Sequence, residues 1–351
     1  MLQSSRPSRA RRPKPPRRHR RSGSPLRLLA FVVVLAGAGA ALLACGVVSS
    51  GDGGADAREV ARTVPRLEPP LGDRELQREV GPLPAPAGAA QVDLTQPSLM
   101  PHLRLKRGPR AGLAFDLADG SILWRHDATA VRPIASLTKI MTALLAVERF
   151  DARETVRITR VADRVGGSRM AGLKPGRRVR ANVLLKALLI SSSNNAAVAL
   201  AVAGAGSERA WVALMNRRAQ LLGLTCTHFV DAHGLDRRNR SCAVDLATLS
   251  MRAMNEPRIV AIARKSYARV WPGAGRKLTL YTTNHLLRDH YPGAIGLKTG
   301  YTRPAGFCLV AIVQRGTRRI GVILLGSRDA FFDARRVARE AARIGALPAA
   351  S

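Results

Sequence analysis

Carboxylates are scarce in this chain. Its 351 residues hold 24 Asp and Glu against 57 Lys and Arg, a formal charge of +33. So basic a protein is drawn to something anionic, either nucleic acid or a membrane or polymer surface. Nearly all the surplus is arginine, which also fits a compositional bias with no site behind it. Aromatic residues make up only 4%, so the core has to be built from Leu, Val, Ile and Ala. The sequence shows no zinc-finger spacing, no recognition-helix motif and no interleaving of aromatic with basic residues, which weighs against a nucleic-acid partner. It also lacks an internal repeat. A hydrophobic fraction of 46% at this length allows one large domain or two modest ones.

The charge is uneven. Residues 1–27 are rich in Arg and Pro and contain no acid, so they read as a basic cytoplasmic tail without a packed helix. Next comes "LLAFVVVLAGAGAALLACGVV", residues 28–48, with neither charge nor proline. It is long enough to cross a bilayer. The basic flank before it predicts a cytoplasmic N-terminus, with the rest of the chain on the extracytoplasmic side. The run reads first as a retained span; the alternatives are a signal cleaved on export and, through "LLAC" ending at Cys45, a lipoprotein signal, although leucine before Ala44 is not the usual small residue of such a box. Residues 49–98 are rich in Gly, Pro and charge and read as a flexible linker, with room for a brief helix around 57–62. A folded domain is expected over 99–347.

Within that domain "AGLAFDLADGSILWRHDA" predicts a hairpin, with strands over 112–117 and 122–125 turning at Asp119-Gly120. "SLTKIMTALLAVERF" is helical by its spacing of apolar residues, "ETVRIT" a short strand, and "VRANVLLKALLISSSNNAAVALAVA" two successive helical pieces. "SERAWVALMNRRAQLLG" is a helix ended by Gly223, and "AVDLATLSMRAMNEP" another stopped at Pro257. "GAIGLKTGYT", "GFCLVAIVQRG" and "RRIGVILLGS" then predict strands, with a turn at Gly316, and "DAFFDARRVAREAARIGAL" a closing amphipathic helix. The order implies an α+β fold in which N- and C-terminal strands share one antiparallel sheet packed with a helical middle.

Three polar motifs interrupt these elements. Ser136 and Lys139 stand three apart and share a helix face. A lysine made partly neutral by burial could take the serine proton. The same pair would also suit a helix cap beside a solvated lysine. "SSSNN" places three serines and two asparagines between apolar runs, which is costly unless they are hydrogen-bonded or line a cleft. They could equally cap the two helices around a turn. Lys298-Thr299-Gly300 could bind a carboxylate through the ammonium and the hydroxyl, while Gly300 admits another element against the backbone. Alone, it could be an ordinary strand end.

In this order the three form the acyl-transfer pattern of penicillin-binding proteins and class A β-lactamases. The chain resembles a low-molecular-mass penicillin-binding protein of the serine-type D-alanyl-D-alanine carboxypeptidase family. "ASLTKIMTALLA", "LLISSSNNAAVALA", "FVDAHGLD", "TTNHLL" and "GLKTGYTRPAGFCLVA" carry the likeness, from about residue 110 to 327. The resemblance implies a β-lactamase/transpeptidase-like fold, with Ser136 acylated and Lys139 as its base. Ser192 and Asn194 would be the Ser-x-Asn pair, although Ser193 and Asn195 have the same spacing. Lys298, Thr299 and Gly300 would bind the substrate, and the backbone N–H groups of Ser136 and Tyr301 would form the oxyanion hole. The implied reaction removes the terminal D-alanine of peptidoglycan stem peptides without metal or cofactor, and β-lactams would become covalent inhibitors.

Other readings compete. A D,D-endopeptidase would use the same site on cross-links. A β-lactamase would need a deacylating glutamate, for which only Glu208 and Glu256 lie between the second and third motifs. A non-catalytic wall-binding protein would be expected to have lost Ser136 or Lys139. "CTHFVDAHGLDRRNRSC" offers Cys226, His228, His233 and Cys242. Their spacing matches no common zinc pattern, and outside the cytoplasm the two cysteines could form a disulfide. Cys308 reads as a buried small hydrophobe. Anionic wall polymers or lipids suit the basic surplus of the domain.

Overall fold

The computed structural model describes residues 92–106, 108–273 and 277–344. The basic tail, the apolar run over 28–48 and the linker as far as residue 91 lie outside the described residues. The chain lays down β1 (Ala111–Asp116), β2 (Ile122–His126), a short β3 (Arg132–Pro133), a 3₁₀ turn (Ala135–Thr138) and helix α1 (Lys139–Arg149). Next come β4 (Thr155–Arg157), α2 (Arg160–Arg164), β5 (Arg178–Arg180), α3 (Ala181–Ile190), α4 (Asn194–Ala205) and α5 (Glu208–Leu221). They are followed by β6 (Arg240–Ser241), α6 (Ala243–Met254), α7 (Pro257–Ala263), β7 (Tyr267–Val270), β8 (Leu278–Tyr281) and α8 (His285–Arg288). β9 (Ala294–Thr302), β10 (Gly306–Arg315), β11 (Arg318–Ser327) and α9 (Ala330–Ile344) complete the described part.

The main sheet is antiparallel and runs β2-β1-β11-β10-β9, so its N-terminal strands pair with its C-terminal ones as the sequence implies. Both of its faces are covered, and the period of two decides which residue meets which cover. Leu113, Phe115, Val310, Ile312, Ile323 and Leu325 face the helical region. Ala114, Leu309, Ala311, Val313, Val322 and Leu324 face α9, whose Ala334, Val337, Ala338 and Ala341 supply its apolar stripe. α1 and α4 are buried along most of their length in the helical core. Few of the packed side chains are aromatic; Leu, Val, Ile and Ala fill most of the interior.

Besides the short α2, α8 and β3–β6 pairing, which the sequence pattern did not announce, further details depart from it. Arg178–Arg180 is a strand paired with β4, not the start of α3. Pro257 begins α7 besides ending the element before it, because a helix's first position has no hydrogen-bonded N–H to lose. The β7–β8 hairpin is a further addition, hidden because Ala, Arg and Lys dilute the strand signal there. Before β1, Val92 is buried and the Leu99 N–H donates to Ile122 O at 3.1 Å, so the segment from 92 lies against the domain. Among the described residues no single helix is long and apolar enough to cross a membrane.

Two tethers fix the helical region. Cys226 and Cys242 form a disulfide that closes the loop before α6, so neither thiol is free for a metal. Arg218 of α5, with 1% of its side chain exposed, donates to Glu148 of α1 at 2.7 Å. Arg252 of α6 lies 3.8 Å from the other oxygen of Glu148. Removing one partner of a buried pair leaves an uncompensated charge. Arg218→Ala should therefore lose about 3–5 kcal/mol of stability, read as a lower denaturant midpoint at unchanged slope. A variant as stable as the parent would refute the pairing as a structural element.

Candidate active site

The site forms where the 3₁₀ turn, the start of α4 and strand β9 converge. Ala135 has φ +48°, a conformation that costs a residue with a side chain energy. The kink feeds the chain into the turn that carries Ser136. Ser136 is not a helix cap, since neither the turn nor α1 has a side-chain cap. One turn further on, Lys139 points along the same face and its Nζ lies 3.0 Å from Ser136 Oγ.

Lys139 is fully buried. Its Nζ donates to Asn194 Oδ1 at 2.7 Å and to the main-chain O of His233. A neutral amine has two N–H bonds and one lone pair. With both N–H bonds directed at those carbonyl oxygens, the lone pair is left for the hydroxyl of Ser136. Burial pushes the Lys139 pKa well below that of an ordinary lysine, and the charge of Lys298 pushes it further, against the opposing pull of Asp231.

Asn194 is held in its turn. Its Nδ2 donates to Gly166 O at 2.8 Å, which turns Oδ1 toward Lys139. Ser192 lies between α3 and α4 with φ +58°. Its Oγ accepts from Lys298 Nζ at 2.9 Å. Ser193 and Asn195, alike in spacing, face the other way. Ser193 caps α4 by accepting from Ala196 N, and both side chains accept from Met170 N. The polar knot thus divides between two tasks: one pair reaches the lysines and the other ties down the 166–170 loop.

Lys298 on β9 is buried, and its Nζ also donates to Thr299 O at 2.8 Å. Burial pulls its pKa to about 7. As an ammonium it has three N–H bonds, two of them engaged, so one is left for a ligand. Thr299 Oγ1 lies 2.6 Å from Thr283 Oγ1, a partner that "TTNHLL" contained but its residue types did not reveal. A Cβ on residue 300 would come within 3.0 Å of Ser136 N. Glycine there lets the backbone of β9 lie against the amide of Ser136. Together Ser136, Ser192, Asn194, Thr299, Gly300 and Tyr301 line one cavity of about 360 Å³.

The loop beneath Lys139 was not legible as part of the site. Asp231 accepts from the N–H groups of His233, Gly234 and Asp236 and so folds the loop that presents His233 O to the lysine. Gly234, at φ +86°, abuts Ala135; a Cβ there would sit 1.9 Å from Ala135 O. The His233 ring lies 3.3 Å from Asp231 and 3.5 Å from Glu208. Its Nδ1 accepts from Leu235 N at 3.3 Å. Burial, with a smaller push from Lys139, lowers its pKa to about 4 despite Asp231. Burial thus favours the neutral form of the His233 ring. Glu208 accepts from Ala232 N, and Glu256 pairs with Arg252. Neither glutamate is among the residues lining the cavity.

Comparison with known proteins agrees with this geometry. Residues 108–329, more than half of the chain, match the model of the D-alanyl-D-alanine carboxypeptidase family. The chain is 31% identical over 249 residues to the D-alanyl-D-alanine carboxypeptidase DacF of Bacillus subtilis, covering 69% of this chain and 62% of that relative. It thus spans less than two thirds of DacF. It is 33% identical over 226 residues to the D-alanyl-D-alanine endopeptidase of Haemophilus influenzae, covering 63% of this chain and 76% of the relative. Its fold is similar to the crystal structure of a D-alanyl-D-alanine carboxypeptidase from Mycobacterium tuberculosis, with a TM-score of 0.64 and 31% identity over 71% of this chain and 96% of the other. With the family model spanning the sheet, the helical core and all three motifs, the chain belongs to the D-alanyl-D-alanine carboxypeptidase family of serine peptidases.

Proposed function

We propose that this protein is a serine-type D-Ala-D-Ala carboxypeptidase that trims the terminal D-alanine from peptidoglycan stem peptides. The observation that carries the reading is the buried Lys139 amine, 3.0 Å from Ser136 Oγ and with no hydrogen bond to a carboxylate among the described residues. Ser136 attacks the carbonyl between the two D-alanines as Lys139 takes its proton. The backbone N–H groups of Ser136 and Tyr301 receive the developing oxyanion. Lys298 and Thr299 hold the terminal carboxylate, and Gly300 allows the close approach. Asn194 keeps Lys139 aimed, and the Ser192 hydroxyl relays a proton to the leaving amine. D-alanine departs, and water then releases the shortened peptide from Ser136. A β-lactam enters the same path, but its leaving group stays attached and the adduct persists.

A second reading, D,D-endopeptidase, is supported by the relative of that name in Haemophilus influenzae. The two activities share the acylation step and separate on cross-linked against uncross-linked substrate. Placement outside the cytoplasmic membrane rests on the uncharged run over 28–48 behind an acid-free, arginine-rich tail. In this arrangement residues 1–27 stay cytoplasmic, 28–48 anchor the chain, 49–98 tether it and 99–347 form the peptidase domain.

Intact-mass measurement after incubation with a penicillin tests the nucleophile. The parent should gain one adduct and Ser136→Ala none. An adduct on both, or D-Ala release by the variant at the parental rate, would remove Ser136 from this role.

The lysines set a pH dependence. Lys139 has to be neutral and Lys298 cationic. Because the pKa of Lys298 is lowered to about 7, its charge is present below that pH and lost above it. In the free enzyme, kcat/KM for an acyl-D-Ala-D-Ala peptide should fall on the alkaline side by about tenfold per pH unit. Lys298→Arg keeps its charge throughout and should lack that limb. A parental profile flat to pH 9 would show that Lys298 is not the group that limits binding.

A further inference from the structure

The chain has only four tyrosines and three tryptophans. Two of the tyrosines and one tryptophan stand in water on one small ribbon. Tyr267 of β7 lies directly across from Tyr281 of β8, and Trp271 follows β7. Their exposures are 53%, 70% and 58% respectively. Ala268, Val270 and Leu280 point inward and are buried, so the ribbon already has its core face and the rings occupy the other. Arg269 shares the outer face with Tyr267. The segment "YARVW" therefore interleaves aromatic and basic residues, contrary to the expectation from sequence that the chain has no such stretch.

Beside the ribbon runs a groove of about 580 Å³ lined by Lys186, Arg264, Lys265 and Arg269, with no carboxylate among its described lining residues. None of the four forms a salt bridge to a described residue. The surface also continues into the catalytic cleft. β8 leads through Thr282 to Thr283, which lines the cavity and meets Thr299. A Cβ on Gly172 would touch Pro272 and Leu278 of the ribbon, and the loop before Gly172 supplies Gly167 and Ser168 to the cavity wall.

We propose that this ribbon is a binding surface for the polymer that bears the scissile peptide. Pyranose rings stack on Tyr267, Trp271 and Tyr281, and the groove cations receive carboxylates of neighbouring stem peptides. Flat amphipathic rings suit sugar faces, the groove's charge suits an anionic strand, and continuity with the cleft matches a substrate longer than the dipeptide cut. The inference rests on the carboxypeptidase reading for its choice of polymer.

The test uses the full-length protein in detergent, with a Tyr267→Ala/Trp271→Ala/Tyr281→Ala variant and a second, Lys265→Gln/Arg269→Gln, each checked by thermal melting. Binding to purified peptidoglycan is read by cosedimentation, D-alanine release from the same material by product assay, and turnover of a short acyl-D-Ala-D-Ala peptide alongside. Both variants should bind peptidoglycan at least tenfold more weakly and release less D-alanine from it, with short-peptide turnover within twofold of the parent. Parental binding to peptidoglycan by the aromatic variant would overturn the proposal. So would unchanged peptidoglycan binding with lost binding to vesicles of anionic lipid, which would assign the ribbon to a membrane surface. A parent that turns over no short peptide would instead count against the carboxypeptidase reading, while cosedimentation would still report on the ribbon.

Discussion

Lys139 and Lys298 are both buried beside one cleft, and neither is hydrogen-bonded to a carboxylate among the described residues. Their partners are hydroxyl and carbonyl oxygens. A carboxylate in contact would hold Lys139 cationic and remove its lone pair. Carbonyl oxygens satisfy its N–H bonds without fixing its charge. The surrounding architecture follows from this requirement. α1 lies deep in the helical core, so Lys139 is desolvated from its first atoms outward. Asn194 and His233 come from separate elements to direct it, and β9 brings the second lysine close enough for its charge to act. Asp231, whose charge acts on Lys139, serves backbone N–H groups and makes no hydrogen bond to that lysine.

Much of this was legible because side-chain chemistry marks it. Ser136-x-x-Lys139, the Ser/Asn knot and Lys298-Thr299-Gly300 stand out against apolar runs, and the unbroken apolar stretches of β10 and β11 fit strands covered on both faces. What stayed hidden has a common physical cause. His233 contributes a main-chain oxygen, and a carbonyl has no residue-type signature. Gly234 matters because a Cβ would meet Ala135 O, a contact between segments about a hundred residues apart. Spacing could not choose between Ser192 with Asn194 and Ser193 with Asn195. The left-handed backbone at Ser192 turns one pair toward the lysines and leaves the other as cap and loop anchor. The β7–β8 hairpin escaped because its strands are only four residues long and Ala, Arg and Lys dilute the strand signal around them.

The scarcity of carboxylates also takes on structural meaning. Several of the few acids are withdrawn into the fold. Asp116 accepts from Arg318 at 2.7 Å, Asp245 from Cys226 N at 2.7 Å, Asp333 from Ser327 at 2.8 Å, and Glu148 lies under Arg218. Asp116, Asp245 and Asp333 are each about 5% exposed or less. These carboxylates neutralise interior donors and contribute little negative field to the surface. Other acids stay at the surface beside arginines, as Asp163 does by Arg169, Asp236 by Arg238 and Asp289 by Arg335.

On the proposed carboxypeptidase reading, the basic surplus of the chain bears on how a polymeric substrate would be met. A stem peptide ends in a carboxylate, and its polymer repeats that charge along its length. The basic surplus of the chain would attract such a strand from a distance. The low-dielectric cleft around Lys298 then concentrates the attraction at one point. Long-range attraction of this kind is screened by salt over about 8 Å at physiological ionic strength, whereas the desolvated contact at Lys298 is screened much less. Capture of the polymer and recognition of the terminal carboxylate are therefore physically separable. On that reading the first would rest on surface cations and the second on one buried ammonium, Lys298, held between Ser192 and Thr299. Surface substitutions could then vary the first without disturbing the second.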